Sequence, residues 1–376
     1  MSSILDLSHQ FELGDRAYLD GAAHGPMPRR SLAAARSALD LKRDPSALED
    51  AEYFRLPDRI RAASAGLLHC APESIAVATG ASHGISLVAC GLDWEPGDHV
   101  VVPTGSFPAI ALPWRDLARR GVDVDFVQPD AVVDTIRADT RVVAVGHVNF
   151  ATGRRLDLTA IGARCGEVGA LFLVDASQSL GVVPVDVIRC GAAVVAVAGY
   201  KWLLSPYGTG VTYVQPDWVE RLRLATFNWT TIVGADDFNK LADLEPRQRP
   251  GAIRFDAPET AAFIHGCALA ESLEFLGEIG VEAINHHVTA LLDRLFDGLP
   301  KTTAVESSLV AAHRSSIARL VPEGNVRAMY AALYSAGIKV SLREGGLRVA
   351  PGVWNTVEDI DRLLAVLREE PARTAR

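Results

Sequence analysis

Seven short apolar runs punctuate the first 214 residues, at 74–78, 98–102, 122–127, 141–145, 170–174, 192–198 and 209–214. Leu171–Val174, Ala192–Ala198 and Val211–Val214 hardly alternate with polar residues, which predicts strands covered on both faces. Segments with helical spacing separate most of the runs: Ser31–Leu41, Asp58–His69, the stretch from Ser82 through Cys90, Pro108–Arg120, Ala131–Ala138 and Asp157–Gly166. Residues 44–57 are acidic and irregular. Parallel strands need such crossovers, so the expected fold is α/β, a mostly parallel seven-stranded sheet with helices on both faces. The periodicity lapses over 215–258 and returns as two long helical patterns, Thr260–Leu276 and Val281–Leu299. Strand patterns at Ser316–Val321, Lys339–Leu342 and Leu347–Val349 then alternate with helical ones at Val326–Ala336 and Thr356–Arg368, predicting a smaller C-terminal α+β domain. The expected division is an N-terminal segment at 1–30, a large domain at 31–258 and a small domain at 259–376.

The chemistry-bearing residues cluster at the ends of these runs. Asp175 comes straight off the fifth run, Gln178 follows it, and Lys201 lies past the sixth on Gly199-Tyr200-Lys201-Trp202. Groups beyond the carboxyl ends of neighbouring strands face one crevice, where open α/β sheets bind ligands. A lysine amine able to hold an aldehyde as a Schiff base, opposite a carboxylate able to keep a ring nitrogen cationic, suits pyridoxal 5′-phosphate. Gln178 is placed to donate to the phenolic oxygen of that cofactor. Gly208-Thr209-Gly210 allows close backbone approach. Thr79-Gly80-Ala81-Ser82-His83-Gly84 opens a helix after a strand, and its unpaired N–H groups and dipole suit a phosphate. It is neither a Walker loop nor a GxGxxG turn.

Val174-Asp175-Ala176-Ser177-Gln178-Ser179-Leu180-Gly181 followed by Ala198-Gly199-Tyr200-Lys201-Trp202 resembles the core of the class V aminotransferase group of PLP enzymes of fold type I. That group includes cysteine desulfurases, kynureninases and isopenicillin N epimerase-like proteins. The resemblance runs from Tyr18-Leu19-Asp20-Gly21-Ala22-Ala23 to Leu347-Arg348-Val349-Ala350-Pro351 and Asn355-Thr356, nearly the whole chain. It implies that Lys201 is catalytic and that Asp175, Gln178, Phe107, Ala81, Ser82, Asn149 and Tyr200 hold the cofactor. Phe107 stacks on the ring in this reading, and Ala81 and Ser82 lie at the phosphate. It further implies that Arg348 clamps the substrate α-carboxylate, with Arg343 a weaker candidate, and that residues 1–30 cross the active-site mouth and bring His24 towards substrate. A homodimer with the active site at the subunit interface is implied too. Thr230, Thr231 or Thr260 is then a candidate to reach the partner's phosphate, although Arg254-Phe255-Asp256-Ala257-Pro258-Glu259-Thr260 lacks the glycine of the common pattern and shifts its threonine. His147 reads as a packed or loop histidine.

Composition narrows the partners. The 376-residue chain is 49% hydrophobic and carries a net charge of −9, which offers no basic stripe to nucleic acid. No apolar run is long enough to span a bilayer. Met1-Ser2-Ser3-Ile4-Leu5-Asp6-Leu7 lacks the features of a signal peptide. Cys70, Cys90, Cys165, Cys190 and Cys267 show no metal-ligand spacing and read as free thiols of a cytoplasmic protein. No metal is expected. Two departures from the family bear on the reaction. Val340–Leu347, where cysteine desulfurases carry their nucleophile, has no cysteine, and Tyr200 before the lysine is similar to kynureninase. The expected activity is therefore transamination of an amino acid through an external aldimine. A PLP-dependent lyase of kynureninase or C–S type, or an epimerase, is the alternative, and a catalytically silent PLP-fold binding protein the second.

Overall fold

The computed structural model describes residues 5–224 and 226–374. The leader reading of the first seven residues therefore falls largely outside the described residues, as do the last two positions of the C-terminal span. After β1 (Ala17–Tyr18) come β2 (Ile75–Ala78), β3 (His99–Pro103), β4 (Asp123–Val127), β5 (Thr140–Gly146), β6 (Leu171–Asp175), β7 (Val194–Ala198) and β8 (Gly210–Val214). Strands β2 to β8 make one seven-stranded sheet in the order β2-β8-β7-β6-β5-β3-β4. From β4 to β7 all neighbours are parallel, while β8 runs antiparallel to both β7 and β2. Each predicted run forms a strand. The uniform apolarity of β7 has a direct cause: Val195 and Val197 enter the core on one face, and Val194, Ala196 and Ala198 enter that on the other. Each fully buried valine contributes about 1.5–3 kcal/mol. The helix Ala81–Gly91 lies so close to the sheet that a Cβ on Gly84 would stand 2.6 Å from Thr212 Oγ1.

Three local expectations change. The helix expected from Asp58 begins at Glu52 and runs through Pro57, losing one backbone bond there. Burial of Leu56, Ile60, Leu67 and Leu68 along its inner face offsets that loss. The helix expected over Ala131–Ala138 shrinks to a 3₁₀ turn, Pro129–Ala131, and a single turn, Val132–Thr135, because the chain extends at Ile136 and Arg137 N donates to Thr140 Oγ1. The strand expected over Lys339–Leu342 is two strands with different partners. β11 (Ile338–Lys339) pairs with β1, whereas β12 (Ser341–Arg343) pairs with β13 (Gly346–Val349).

β12 and β13 belong to a four-stranded antiparallel sheet, β12-β13-β10-β9, with β9 (Thr303–Val305) and β10 (Ala318–Pro322). β9 is three residues long, too short to leave a pattern. The β1–β11 pairing and the Asp20–Ala350 bridge bind the amino-terminal segment to the carboxyl-terminal part of the chain. Among the described residues no helix is long and apolar enough to cross a membrane.

Candidate active site

Residues beyond the carboxyl ends of β3, β4, β5, β6 and β7 converge on a cavity of about 360 Å³. It straddles β3 and β5, where the sheet order reverses, the place at which doubly wound sheets bind ligands. Lys201, Asp175, Gln178, Phe107 and Asn149 all line it.

Lys201 sits on a tight turn after β7. Leu204 N donates to Lys201 O at 3.1 Å, and Leu204 takes a left-handed φ of 52°. The amino-terminal segment seals this turn from beneath. Gly25 N donates to Tyr200 O at 2.9 Å, and a Cβ on Gly25 would lie 1.9 Å from Lys201 O. Lys201 is only 7% exposed, and its amine lies 5.2 Å from the Phe107 ring centroid and 5.5 Å from that of Tyr200. Burial depresses its pKa, the Arg348 charge adds to the effect, and Asp175 opposes it. An amine so placed is more readily unprotonated and nucleophilic than a surface lysine.

Asp175 is also buried, and its Oδ1 accepts from Ser177 N at 2.9 Å. Ser177 Oγ in turn accepts from Ala198 N at 3.0 Å, tying the end of β6 to the end of β7. Gln178 Oε1 accepts from Trp202 Nε1 at 3.0 Å, and its Nε2 donates to Ala22 O at 2.9 Å, so one amide N–H is left for the cavity. Asn149 Oδ1 closes a turn with Ala151 N and Thr152 N, and its Nδ2 donates to Gly105 O at 3.0 Å. Phe107 is 40% exposed and meets Phe150 edge-on at 5.2 Å.

The remaining sequence candidates are not among the residues that line the cavity. The helix that starts at Ala81 has no side-chain cap on its first N–H groups, with Ala81 buried and Ser82 exposed. Close backbone approach is present there: a Cβ on Gly210 would stand 2.8 Å from Gly80 Cα. Tyr200 is half-buried against Tyr207, ring centroids 4.5 Å apart, and burial raises its pKa. His24 is exposed, its ring 5.0 Å from that of Tyr200. Thr230, Thr231 and Thr260, the candidates for a cross-subunit contact, are all buried within their own chain, and Thr231 Oγ1 is occupied by Asn228 O and Gln248 Oε1.

Arg348 is 2% exposed, and β13 aims it at the cavity wall, where Nη1 donates to Phe150 O at 2.9 Å. Its Nη2 meets Asp20 Oδ1 at 3.2 Å, and Ser341 Oγ lies 2.7 and 2.6 Å from the two Asp20 oxygens. Arg343, by contrast, donates only to its neighbour Leu342 O and is exposed. Asp20 and Ser341 were not candidates in the sequence reading. The available signal was a carboxylate inside the apolar extended Tyr18-Leu19-Asp20 stretch. Arg154, Asp130 and Phe150, which line the cavity, were missed as well.

His147 is packed, as expected, and burial first, then the Arg155 charge, lowers its pKa to about 3. Between pH 6.5 and about 3 the unfolded chain binds a proton that the folded chain refuses, so this residue costs stability increasingly as pH falls through that window. Replacing it by glutamine removes the cost. Urea unfolding of His147→Gln between pH 6.5 and 4 is expected to show a stability slope shallower by up to about 1.4 kcal/mol per pH unit than wild type.

The family described as Aminotransferase class-V matches residues 17–363. A probable cysteine desulfurase of Methanothermobacter thermautotrophicus is 30% identical over 310 residues, 78% of this chain and 75% of that protein. An uncharacterized aminotransferase of Schizosaccharomyces pombe is 29% identical over 315 residues, covering 79% and 77%. Among solved structures, the cystine C-S lyase C-DES in complex with its reaction product cysteine persulfide superposes with a TM-score of 0.84 at 22% identity, over 94% of this chain and 98% of that one. The apo cysteine desulfurase from Thermococcus onnurineus NA1 gives 0.85 at 21% identity over 100% of both chains. With a buried amine and a buried carboxylate on one cavity, an aromatic ring beside the amine and an uncapped helix start after β2, the chain belongs to the class V aminotransferase family, its fold is PLP fold type I and its cofactor is pyridoxal 5′-phosphate.

Proposed function

We propose that this protein is an aminotransferase acting on an α-amino acid. One observation carries the reading: among the described residues lining the cavity, Lys201 is the only amine, and no histidine or cysteine accompanies it. The other titratable lining groups are Asp175, Asp130 and the guanidinium of Arg154. A single base with a depressed pKa suffices to carry one proton between two carbons on the same face, which is what transamination requires. Epimerisation needs a second base on the opposite face.

Bound pyridoxal phosphate supplies the electron sink that makes a substrate Cα–H acidic. Lys201 would hold the cofactor aldehyde and, once released from it, would move the Cα proton. Asp175 would keep the ring nitrogen cationic. Phe107 would give the ring an apolar face, and Gln178 and Asn149 would each offer an amide N–H to ring substituents. The N–H groups of Ala81 and Ser82, with Tyr200, would take the phosphate. Arg348 grips the α-carboxylate, held in place by Asp20 and Ser341, and His24 lies at the mouth. A fork does this better than a point charge. Arg348→Lys is expected to raise KM for the amino acid about 10- to 100-fold with a smaller change in kcat, read from steady-state kinetics.

The names of the relatives favour a second reading, C–S lyase action. Desulfuration by an enzyme thiolate has no support in the geometry. Among the described residues no cysteine lines the cavity, and 340–347 is a tight hairpin turning at Glu344-Gly345. Elimination on a substrate that carries its own leaving group is compatible with the same lysine. A screen of amino acids with and without an α-keto acid separates the two: keto-acid-dependent turnover supports transamination, and pyruvate or ammonia release without keto acid overturns it. A purified protein with no visible cofactor band would instead be a silent binding protein. The reading includes a cytoplasmic homodimer with the site at the subunit interface. Exposed Tyr207 beside Tyr200, with exposed Phe227 and Trp229, supports the dimer, and light scattering at twice the chain mass tests it.

A further inference from the structure

We propose that Arg154 is a second anion-binding point in the cavity and that it fits the site to amino acids bearing an acid group on the side chain. The inference rests on the aminotransferase reading, in which Arg348 takes the α-carboxylate.

Arg154 follows β5 in a loop fixed from both sides. Ser307 Oγ donates to Thr152 O at 2.6 Å and Ser315 Oγ to Gly153 O at 2.6 Å, while a Cβ on Gly153 would lie 2.1 Å from Ile317 O. The Arg154 carbonyl accepts from Asn149 N at 2.9 Å, which joins it to another lining residue. Its guanidinium is therefore presented to the cavity by a rigid frame. An arginine delivered to the same 360 Å³ space as Lys201 is not a surface accident of the loop.

The hydrogen-bond inventory of this side chain is incomplete. Nη2 contacts Asp130, whose side chain is 73% exposed, while that of Arg154 is 30% exposed. Solvent screens that pair and makes it easy to exchange. Nε is buried without a partner, and an N–H left so is satisfied best by an anionic oxygen. The fork of Arg154 can take a carboxylate, sulfinate or sulfonate through two parallel bonds. The other charged lining groups are Lys201, Asp175 and the Asp130 paired with Arg154, and the lining also includes the apolar or neutral Phe107, Ile110, Phe150 and Gln128. Arg348 reaches the same wall through Phe150 O, so two arginines border the segment 149–154, one for each acid group of such a substrate.

The test uses unreactive probes and the holoenzyme. Isothermal titration with glutarate and with butyrate measures the gain from the second carboxylate directly. Glutarate is expected to bind at least about tenfold more tightly, a ratio that Arg154→Gln brings close to one, Arg154→Lys partly keeps and Asp130→Asn increases. A wild-type ratio near one, or a ratio unchanged in Arg154→Gln, overturns the inference. The absorbance of the cofactor in the same samples judges the underlying reading separately. A normal cofactor band and turnover of amino acids, with no preference for the dicarboxylate, would sink this inference and leave transamination standing. Absence of the band would sink transamination, and the titration ratio would still decide whether Arg154 binds anions.

Discussion

Lys201→Ala is expected to abolish turnover, by on the order of 10³-fold or more in kcat, while leaving the protein folded. On the proposed reading every route open to this cavity passes through that amine. Among the described residues no other amine or imidazole lines the space to take the Cα proton in its place, and the alanine methyl can form no covalent link to an aldehyde. The fold should tolerate the loss for a physical reason. Among the described residues the Lys201 side chain has no hydrogen bond that holds the turn, which instead depends on Leu204 N to Lys201 O, on Gly25 N to Tyr200 O, and on Ser205 N to Gly199 O at 3.1 Å. Removing a buried amine whose charged form is disfavoured even relieves a desolvation cost. Asp175 keeps its bond from Ser177 N. Thermal unfolding within a few degrees of wild type, together with loss of the visible cofactor band and of activity, is the expected pattern. Substantial turnover by a folded Lys201→Ala protein would remove Lys201 from the mechanism.

How much of this was legible in the chain depends on the range of the forces involved. The seven strands were readable because burial on both faces leaves a local imprint: in β5, β6, β7 and β8 nearly every position is buried, so neighbours along the chain are apolar together. Asp175, Gln178 and Lys201 were readable because they follow directly from strand ends, and the parallel sheet brings such ends to one crevice. Asp20 was not readable. Its function is to hold an arginine 328 positions away, a pairing created by the Asp20–Ala350 bridge and not by anything near either residue. Arg154 left no signal for the opposite reason: it follows Asn149 in the same loop after β5, and nothing local says which side of that loop faces the cavity. The helix expected at Ala131–Ala138 failed because its apolar spacing is real but its end is set by the Thr140 hydroxyl, a side-chain competitor that periodicity does not register.

Asp256→Ala is expected to be the most damaging substitution outside the cavity. Asp256 ends the irregular 215–258 stretch, in the segment that departs from the family pattern, and its side chain is 2% exposed. One carboxylate oxygen accepts from Val77 N at 2.8 Å in β2. The other contacts the guanidinium of Arg61, itself 4% exposed on the helix Glu52–Leu68. A pair this deep gains little net free energy over apolar residues of the same volume, because desolvating both ions offsets their attraction. Removing one partner is a different matter. Alanine would leave the Arg61 charge in the interior with only Asp58, which is 52% exposed, at 2.6 Å, and would leave Val77 N–H without its acceptor. The cost is about 3–5 kcal/mol, a large share of the roughly 5–15 kcal/mol that holds a typical domain together. Urea unfolding should show this loss. The double replacement Arg61→Met with Asp256→Leu should recover most of it, since no charge then remains buried. On the proposed reading the single substitution should also loosen the cofactor, because β2 runs directly into Thr79-Gly80 and the uncapped helix start at Ala81, which would offer its N–H groups to the phosphate. An Asp256→Ala protein as stable as wild type would mean that water reaches Arg61 and that the interior between this helix and β2 is not dry.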